Sequence, residues 1–537
     1  MAGWAQGIGL IMATVAGVAA GPAQGLAEEP AEVIASLNRI RASAGLVPFD
    51  HQPLLDRAAL NHARYLSEQR TDGHGETPGR AGYTGADLHE RARAVGYKPS
   101  QVGENVATGS ADAQESLDRL MSAIYHRIGF LSFELDEAGM GSFPRAEGGR
   151  SYVYAMGGSG AALAEFCRRP DPTALLGGPG RYVEVCPGGL KVKAEAFEAL
   201  QAAAARRNPR LIVWPPRDGR NLPVTFSGER PNPLPGRAMS GYPLSVHFNP
   251  AHVRQARLLD FRLFERRGAP AGGRPDPDAL VEVAPVRVLQ ADSDPNRALG
   301  PLDFALFPLE RLEWERAYVG RGRFAVDGKE ELVAWTFRTR ALGVPLYDVR
   351  GRGEELPLKP DVEYAVRVAP SRTQPMLGPV EYAMPHGVEV RGRREDENTL
   401  RLRVSGPLCA RVSVSAGAAR FAVRLAASDT TAGPLPLARL YGSCPEFAAH
   451  FKVRGAGERL RIKPGSTYRI YVLPSAAHPA IGALSSTFAR DVEPRLEFED
   501  ESTLRAAVRG PAGREVKVEF SGGRSVSLLL DNGAAEP

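Results

Sequence analysis

The segment EDENTLRLRVSGP, Glu395–Pro407, returns 104 residues later as EDESTLRAAVRGP, Glu499–Pro511. LKPDVEYAVRVAPS, Leu358–Ser371, returns at the same offset as IKPGSTYRIYVLPS, Ile462–Ser475. One offset shared by two separated blocks means that a unit of about 100 residues occurs twice. Tandem β units of this size are a mark of modular extracellular proteins, and the length predicts immunoglobulin-like sandwiches over 343–440 and 441–537. The cysteines do not follow the antibody pattern, because neither sequence-local pair lies within one copy at B-strand to F-strand spacing. Before the repeat, short alternating runs such as YPLSVHF, LDFRLFE and LVAWTFRT, separated by Pro/Gly-rich turns, predict a further β-sandwich over 213–342. Trp335 and Phe337 alternate with Thr336 there and are expected as core packing rather than a ligand platform.

The first part of the chain has a different period. AEVIASLNRIRASAGL carries Val33, Ile34, Leu37 and Ile40 at helical spacing, and PLLDRAALNHARYLSEQR carries Leu55, Ala58, Ala59, His62 and Leu66 on one face. A third, continuous helix is expected through ADAQESLDRLMSAIYHRIGFL, with Leu117, Leu120, Met121, Ile124 and Ile128 as its stripe. SYVYAMGG then alternates as a strand, which predicts an α+β domain over 30–158. Residues 159–212 form a connecting region with a helix in KVKAEAFEALQAAAARRN.

Ile8–Ala20 is a thirteen-residue apolar run, short for a membrane span and suited to a signal-peptide core. Cleavage after Ala27, with small residues at Gly25 and Ala27, would make residues 1–27 a signal peptide. No Lys or Arg precedes the run, so a retained anchor helix is the alternative. No later stretch could span a membrane, and a secreted, periplasmic or cell-envelope location follows. In an exported chain the four cysteines predict disulfides Cys167–Cys186 and Cys409–Cys444 by sequence proximity, out of three possible connectivities. No Cys-x-x-Cys spacing supports a zinc–thiolate site. The net charge of +5 over 537 residues is mild, and the arginines are interleaved with acids. No nucleic-acid footprint is expected from such a distribution.

Strong catalytic signatures are missing: no Gly-x-Ser-x-Gly, no P-loop, no His-Glu-x-x-His and no dinucleotide fingerprint. Five of the ten histidines nevertheless fall between His51 and His126. His62 lies on an apolar stripe and is expected as a hydrogen-bonded core residue. His126, on a continuous helix, would point away from the Leu117/Leu120/Met121/Ile124 stripe, toward solvent or a cleft. His51 and His89 show no partner pattern and are expected on the surface. Ser110 and Thr108 lie near these motifs in sequence, but no nucleophile is apparent.

The landmarks LNRIRASAGLVPFDHQPLLDRAALNHARYL, HGE, GEN, YHR and AGMGSF…SYVYAMGG occur in that order between Val33 and Gly158. Together they resemble the CAP superfamily (SCP/TAPS), which includes cysteine-rich secretory, antigen 5 and pathogenesis-related proteins, and most closely its bacterial members. The resemblance covers roughly a quarter of the chain. It implies an α-β-α sandwich with a cleft lined by two His and two Glu, so the fold class expected is a CAP-type α+β sandwich followed by all-β modules. Matched one by one, the cleft residues are His74, Glu104 and His126. Bacterial relatives often place a Glu two residues before the last of these, where this chain has Ile124. Glu76 could supply the missing carboxylate.

Such a set could hold zinc or another divalent ion, or work as acid and base. The resemblance does not choose among reactions, since members have been described as proteases, lipid binders and signalling ligands. The incomplete acidic pair favours binding over catalysis. The leading expectation is a secreted bacterial protein binding a metal, and a lipid or cell-wall ligand, in the cleft, with β modules for surface interaction. The alternatives are a metal-dependent hydrolase acting on peptides or peptidoglycan, and a structural envelope protein with a vestigial cleft.

Overall fold

Proline opens both of the first two helices, α1 (Pro30–Ser43) and α2 (Pro53–Glu68), at positions where its missing N–H costs no intrahelical bond. The protein is described by a computed structural model over residues 29–97, 101–158, 165–169, 180–186, 190–267, 279–371, 373–385, 387–407, 409–426, 447–475 and 477–532. The expected signal peptide, 1–27, lies outside the described residues. By their contacts the residues form two units. One runs to Met121 and resumes over Ile128–Asn208; the other comprises Ser122–Arg127 and the chain from Pro209 onward.

In the first unit, strands β1 (Asp50–His51), β2 (Val102–Ser110), β3 (Glu137–Pro144) and β4 (Arg150–Gly157) form one sheet in the order β1-β3-β4-β2. β1 pairs with β3 in parallel, and the other pairings are antiparallel. The period-two alternation of β4 divides its side chains between two faces. Val153 and Ala155 join a core with Leu55, Ala59, Ala63 and Leu66 of α2 and with Leu88 and Ala92 of α3 (Leu88–Ala94). Tyr154, on the opposite face, meets Phe130 edge-on at 5.2 Å and shares a 2.5 Å hydrogen bond with Ser116 of α4 (Ala113–Ser122). Helices therefore cover both faces of the sheet, in the expected α-β-α arrangement. α2 lies very close to the sheet, and glycine makes this possible. A Cβ on Gly141 would stand 2.1 Å from Leu60 N, and one on Gly139 would stand 2.3 Å from Asp56 N.

One helix departs from expectation. The run expected as a single third helix is interrupted at Ala123, giving α4 and a separate α5 (Ile124–Phe130). The cause is a carboxylate distant in sequence: Glu229 accepts from the N–H groups of Ile124 at 2.8 Å and Tyr125 at 2.7 Å, which satisfies the first-turn donors of a new helix. His126 therefore lies in the first turn of a new helix, not on the continuous helix expected from the stripe.

The connecting region holds a small hairpin, β5 (Tyr182–Glu184) with β6 (Lys191–Lys193), and the helix α6 (Ala194–Arg206). Cys167 and Cys186 are disulfide-bonded. The other expected bridge, Cys409–Cys444, has its second member outside the described residues.

The second unit is built of strands. Leu211–Trp214, Leu244–Phe248, Asp303–Pro308 and Val286–Leu289 form one sheet. Gly219–Leu222, Lys329–Thr339, Ala317–Val326, Ala256–Arg266 and Leu280–Glu282 form another. Trp335 and Phe337 are core residues as expected, Trp335 against Phe261 and Phe337 stacked on Tyr318.

The repeat is reproduced strand for strand. Arg352–Leu358, Glu363–Val368, Thr399–Ser405 and Arg411–Ala416 return, at the sequence offset, as Ala456–Ile462, Thr467–Val472, Thr503–Arg509 and Glu515–Phe520. Each copy has two four-stranded sheets in the same order, closed over one apolar core. Individual hydrogen bonds also recur. The hydroxyl of Tyr364 accepts from Lys359 N and that of Tyr468 from Lys463 N. Glu354 accepts from the N–H groups of Arg350 and Arg352, and Glu458 from those of Arg454 and Ala456. Burial works to raise both carboxyls, but these backbone donors outweigh it and hold both below the ordinary value.

A lowered carboxyl stabilises the fold above its unfolded-state pKa and loses that contribution as pH falls through the folded-state value. Glu354→Gln/Glu458→Gln is therefore expected to cost about 1 kcal/mol per site at pH 7. The deficit should shrink as pH falls through the lowered folded-state values, as read by hydrogen exchange of the repeat strands in variant and wild type at matched pH. A deficit that persists undiminished in acid would contradict this assignment.

Among the described residues, no helix is long and apolar enough to cross a membrane.

Candidate functional site

The inner face of α2 carries a histidine. His62 continues the stripe of Leu55, Ala58 and Ala59 and is fully buried. Its Nδ1 lies 2.9 Å from Glu76 Oε1 and its Nε2 lies 3.1 Å from the carbonyl of Gly73. Both partners are acceptors, so the two bonds exist together only when both ring nitrogens carry protons.

Glu76, in the loop between α2 and α3, is almost fully buried. Besides His62 it accepts from Thr84 N at 2.5 Å, from Gly85 N at 3.3 Å and from the Thr84 hydroxyl. Burial opposes its ionisation, but His62, the Thr84 amide and the Arg91 charge prevail and hold the carboxyl below the ordinary range. Both carboxylate oxygens of Glu76 are engaged by protein donors. Glu76 is the hub that orders Gly73–Gly85.

Asp87 caps α3 by accepting from Glu90 N at 2.9 Å, and Glu90 reaches back to Ala86 N at 2.8 Å. This fixes Arg91, whose side chain is wholly buried. Its Nη2 donates to both oxygens of Glu104 on β2, at 2.8 and 3.0 Å, and to the carbonyl of His74 at 3.1 Å. Its Nη1 donates to the Gly85 carbonyl, while its Nε has no hydrogen-bond partner and lies 3.9 Å from Glu76 Oε1. Glu104 Oε2 accepts from His74 Nδ1 at 3.0 Å and lies 3.9 Å from His62 Nε2. Of these side chains, His74 is the one open to solvent, 55% exposed, whereas that of Glu104 is 4% exposed.

The structure thus brings His74, Glu76 and Glu104 together in the first unit. It adds two residues that the motifs did not assign, Arg91 and the core histidine His62. His126 belongs to the second unit. There its Nδ1 lies 3.2 Å from Glu229 Oε1, the carboxylate that also accepts from the amides of Ile124 and Tyr125. The Glu229 side chain is fully buried. Neighbouring residues are held in the same unit. The Tyr125 hydroxyl bonds Asp294 and accepts from Asn296 Nδ2. Arg127, wholly buried, donates to the Pro243 carbonyl at 2.9 Å and lies over the Tyr242 ring. No short-range sequence pattern marks Glu229, because its partners are about a hundred residues earlier.

A divalent ion requires several converging lone pairs. The donors of the first unit do not fit a catalytic metal centre. Glu76 is saturated by four protein donors and Glu104 is shared with the Arg91 guanidinium. His74 and Glu104 remain, two ligands where catalytic zinc takes three from the protein. Among the described residues, no three His, Cys, Asp or Glu are arranged to hold an ion.

One other arrangement has the form of a hydrolytic relay. Ser245 Oγ lies 2.8 Å from His247 Nε2, and His247 Nδ1 lies 2.8 Å from Asp303 Oδ1. Ser245 and His247 are buried, and Arg127 Nη1 donates to Ser245 Oγ at 3.3 Å. No reactant reaches that oxygen, and the relay is a structural chain in the β unit.

The family model of the cysteine-rich secretory protein family, CAP, matches residues 34–156. Among solved structures the chain is similar to an extracellular protein containing an SCP domain from Bacillus anthracis, with 17% identity over 24% of this chain and 39% of that one, at a TM-score of 0.21. It is also similar to an outer surface protein from Borrelia burgdorferi, with 16% identity over 25% of this chain and 98% of that one, at a TM-score of 0.22. The chain therefore spans about two fifths of the length of the Bacillus protein. No curated protein matches it. The helices on both faces of a four-stranded sheet, the ordered motifs and the family match agree, and residues 34–156 are a CAP domain.

Proposed function

We propose that this chain is an exported, non-enzymatic binding protein of the cell envelope. In this reading the CAP domain recognises a polar cell-wall polymer at its His74–Glu104 edge, and the β modules hold it at a surface. The observation that carries the reading is the commitment of the two carboxylates. Glu76 is consumed by His62, Thr84 and Gly85, and Glu104 is paired with Arg91, so neither of these two carboxylates is uncommitted and ready to serve as a general base. The exposed imidazole beside a fixed carboxylate and guanidinium suits a ligand rich in hydroxyl and amide groups better than an acyl chain.

The test uses full-length mature protein with purified peptidoglycan sacculi, phosphatidylglycerol vesicles and added zinc. Co-sedimentation with sacculi, weakened at least tenfold in His74→Ala, is the expected result, with no release of soluble fragments with or without zinc. Zinc-dependent fragment release that His74→Ala abolishes would overturn the reading in favour of a metal-dependent hydrolase. Binding to vesicles alone, or to neither probe, would overturn it as well.

A further inference from the structure

The two repeats share one strand order but not one outward face. In the first copy Val412, Val414 and Ala416 join the core, so the alternation of their strand turns Arg411, Ser413 and Ser415 outward. In the second copy Val516, Val518 and Phe520 go inward, and Glu515, Lys517 and Glu519 go outward. Ala383 stands opposite Ser413, as Thr487 stands opposite Lys517. Where the second copy carries the ion pair Lys517–Glu519, at 2.7 Å, the first therefore carries two serines. Small side chains in place of long ones leave a depression of about 380 Å³ over Ser413, Ser415 and Ala422. It shares Ala383, Arg411 and Ser413 with a larger groove of about 830 Å³ that continues to Tyr471, Glu501 and Thr503 of the second copy. Both volumes fall in the range of small-ligand sites, roughly 300–1,000 Å³. All of these residues belong to the second unit.

The lining is polar, yet its charges are matched. Glu355 accepts from Arg411 at 3.0 Å and from Arg424 at 2.5 Å, and Glu499 is paired with Arg469. Arg420 adds to the positive side and Glu381 and Glu501 to the negative, which brings the continuous groove to zero net charge. A polyanion gains nothing from such a surface. Between the charges lie hydroxyl groups, which both donate and accept. Ser413 Oγ accepts from Arg411 Nη1 at 2.9 Å, and its hydroxyl remains a donor. Tyr471, turned outward between the core residues Ile470 and Val472, supplies a half-buried ring with a polar tip. We propose that this groove binds a linear, uncharged polysaccharide, with Ser413 and Ser415 bonding sugar hydroxyls and the Tyr471 ring covering an apolar sugar face. The inference deepens the surface attachment proposed above and rests on it only for the setting, a glycan-bearing surface; His74 plays no part in the groove.

The experiment is titration calorimetry of full-length mature protein with β-linked hexamers of glucose, N-acetylglucosamine, mannose and xylose, and with a galacturonic acid hexamer as the anionic probe. At least one neutral hexamer is expected to bind, with Kd below about 1 mM. Ser413→Lys/Ser415→Glu gives the first copy the side chains that the second already accommodates. It should weaken that binding roughly tenfold or more by filling the groove. Hydrogen exchange of Arg411–Ala416 checks that the module is folded. Tyr471→Ala should weaken binding as well, and decides the matter if the serine variant does not fold. His74→Ala should leave it unchanged. No binding of any neutral hexamer, a preference for the galacturonic acid hexamer, or binding that neither groove variant weakens would overturn the inference. A protein that binds sacculi through His74 but no neutral hexamer would lose this inference and keep the function proposed for the CAP domain. One that binds a neutral hexamer but no sacculi would do the reverse.

Discussion

Replacing Arg91 by methionine should destabilise the first unit by about 3–5 kcal/mol, the cost of leaving buried charges without their partner. The guanidinium is completely buried and bonds Glu104 twice, with Glu76 nearby. Methionine fills similar volume but takes from the buried Glu104 its two guanidinium bonds and from Glu76 the nearby positive charge. Hydrogen exchange of the full chain reads this locally and avoids assuming two-state unfolding of a protein with two units. Peptides from α2, β2 and β4 should exchange roughly 100- to 1,000-fold faster or more, at 1.4 kcal/mol per decade. Arg64→Met provides the contrast, since Arg64 pairs with Glu68 on an exposed helix face and should change exchange by less than about fivefold. Equal effects from the two variants would mean that the buried network is not what holds this unit together. The same cluster predicts acid sensitivity. Glu76 is held below its ordinary value, so its contribution is present above the unfolded carboxylate pKa and fades as pH falls through the lower folded one.

Gly139→Ala/Gly141→Ala should prevent the first unit from forming its native sheet–helix packing. The added Cβ atoms would meet backbone rather than movable side-chain ends: Asp56 N and Leu55 C at 2.3 and 2.5 Å, Leu60 N and Leu60 Cα at 2.1 and 2.3 Å. No rotamer change relieves such contacts, so α2 must lift from the sheet. Lifting it pulls the Asp56 carboxylate from the Met140 amide and opens the core of Leu55, Ala59, Val153 and Ala155. Overpacking ordinarily costs about 1–3 kcal/mol per site, and two rigid clashes along one helix place the double variant at or beyond the upper end. Gly75→Ala is the control, because the nearest atom to its Cβ is 3.8 Å away. Native-like protection of α2 in the double variant would show that the helix can shift without loss, contrary to this account.

The chain announces much of this architecture itself. Helical periodicity placed α1 and α2 because their buried faces are made of near neighbours in sequence, Leu55, Ala58, Ala59 and Leu66 among them. The repeat was readable because both copies must satisfy the same β packing, and the matching offset survives in the strands. The break at Ala123 was not readable, since Glu229 imposes it from 105 residues away and the local pattern of α4 and α5 runs on as one helix. The state of the candidate site was hidden for a related reason. HGE and GEN mark His74, Glu76 and Glu104, but short motifs do not say whether a carboxylate is open or already satisfied. That depends on His62, Thr84, Gly85 and Arg91, which only the folded chain gathers. His62 read as a core histidine by position, and it is one. Its charge partners were the part that composition could not reveal.

Each repeat pairs its early long strand with its last strand in parallel, Arg352–Leu358 with Ala419–Leu425 and Ala456–Ile462 with Arg524–Leu530. Tension applied along the chain at the two ends of such a module pulls these strands past one another lengthwise. The ladder bonds between them then resist together, as a seam under shear, instead of parting one at a time like a zipper. Two modules of this kind in series make a tether whose extension under a steady pull is governed by the unfolding rate of whole modules.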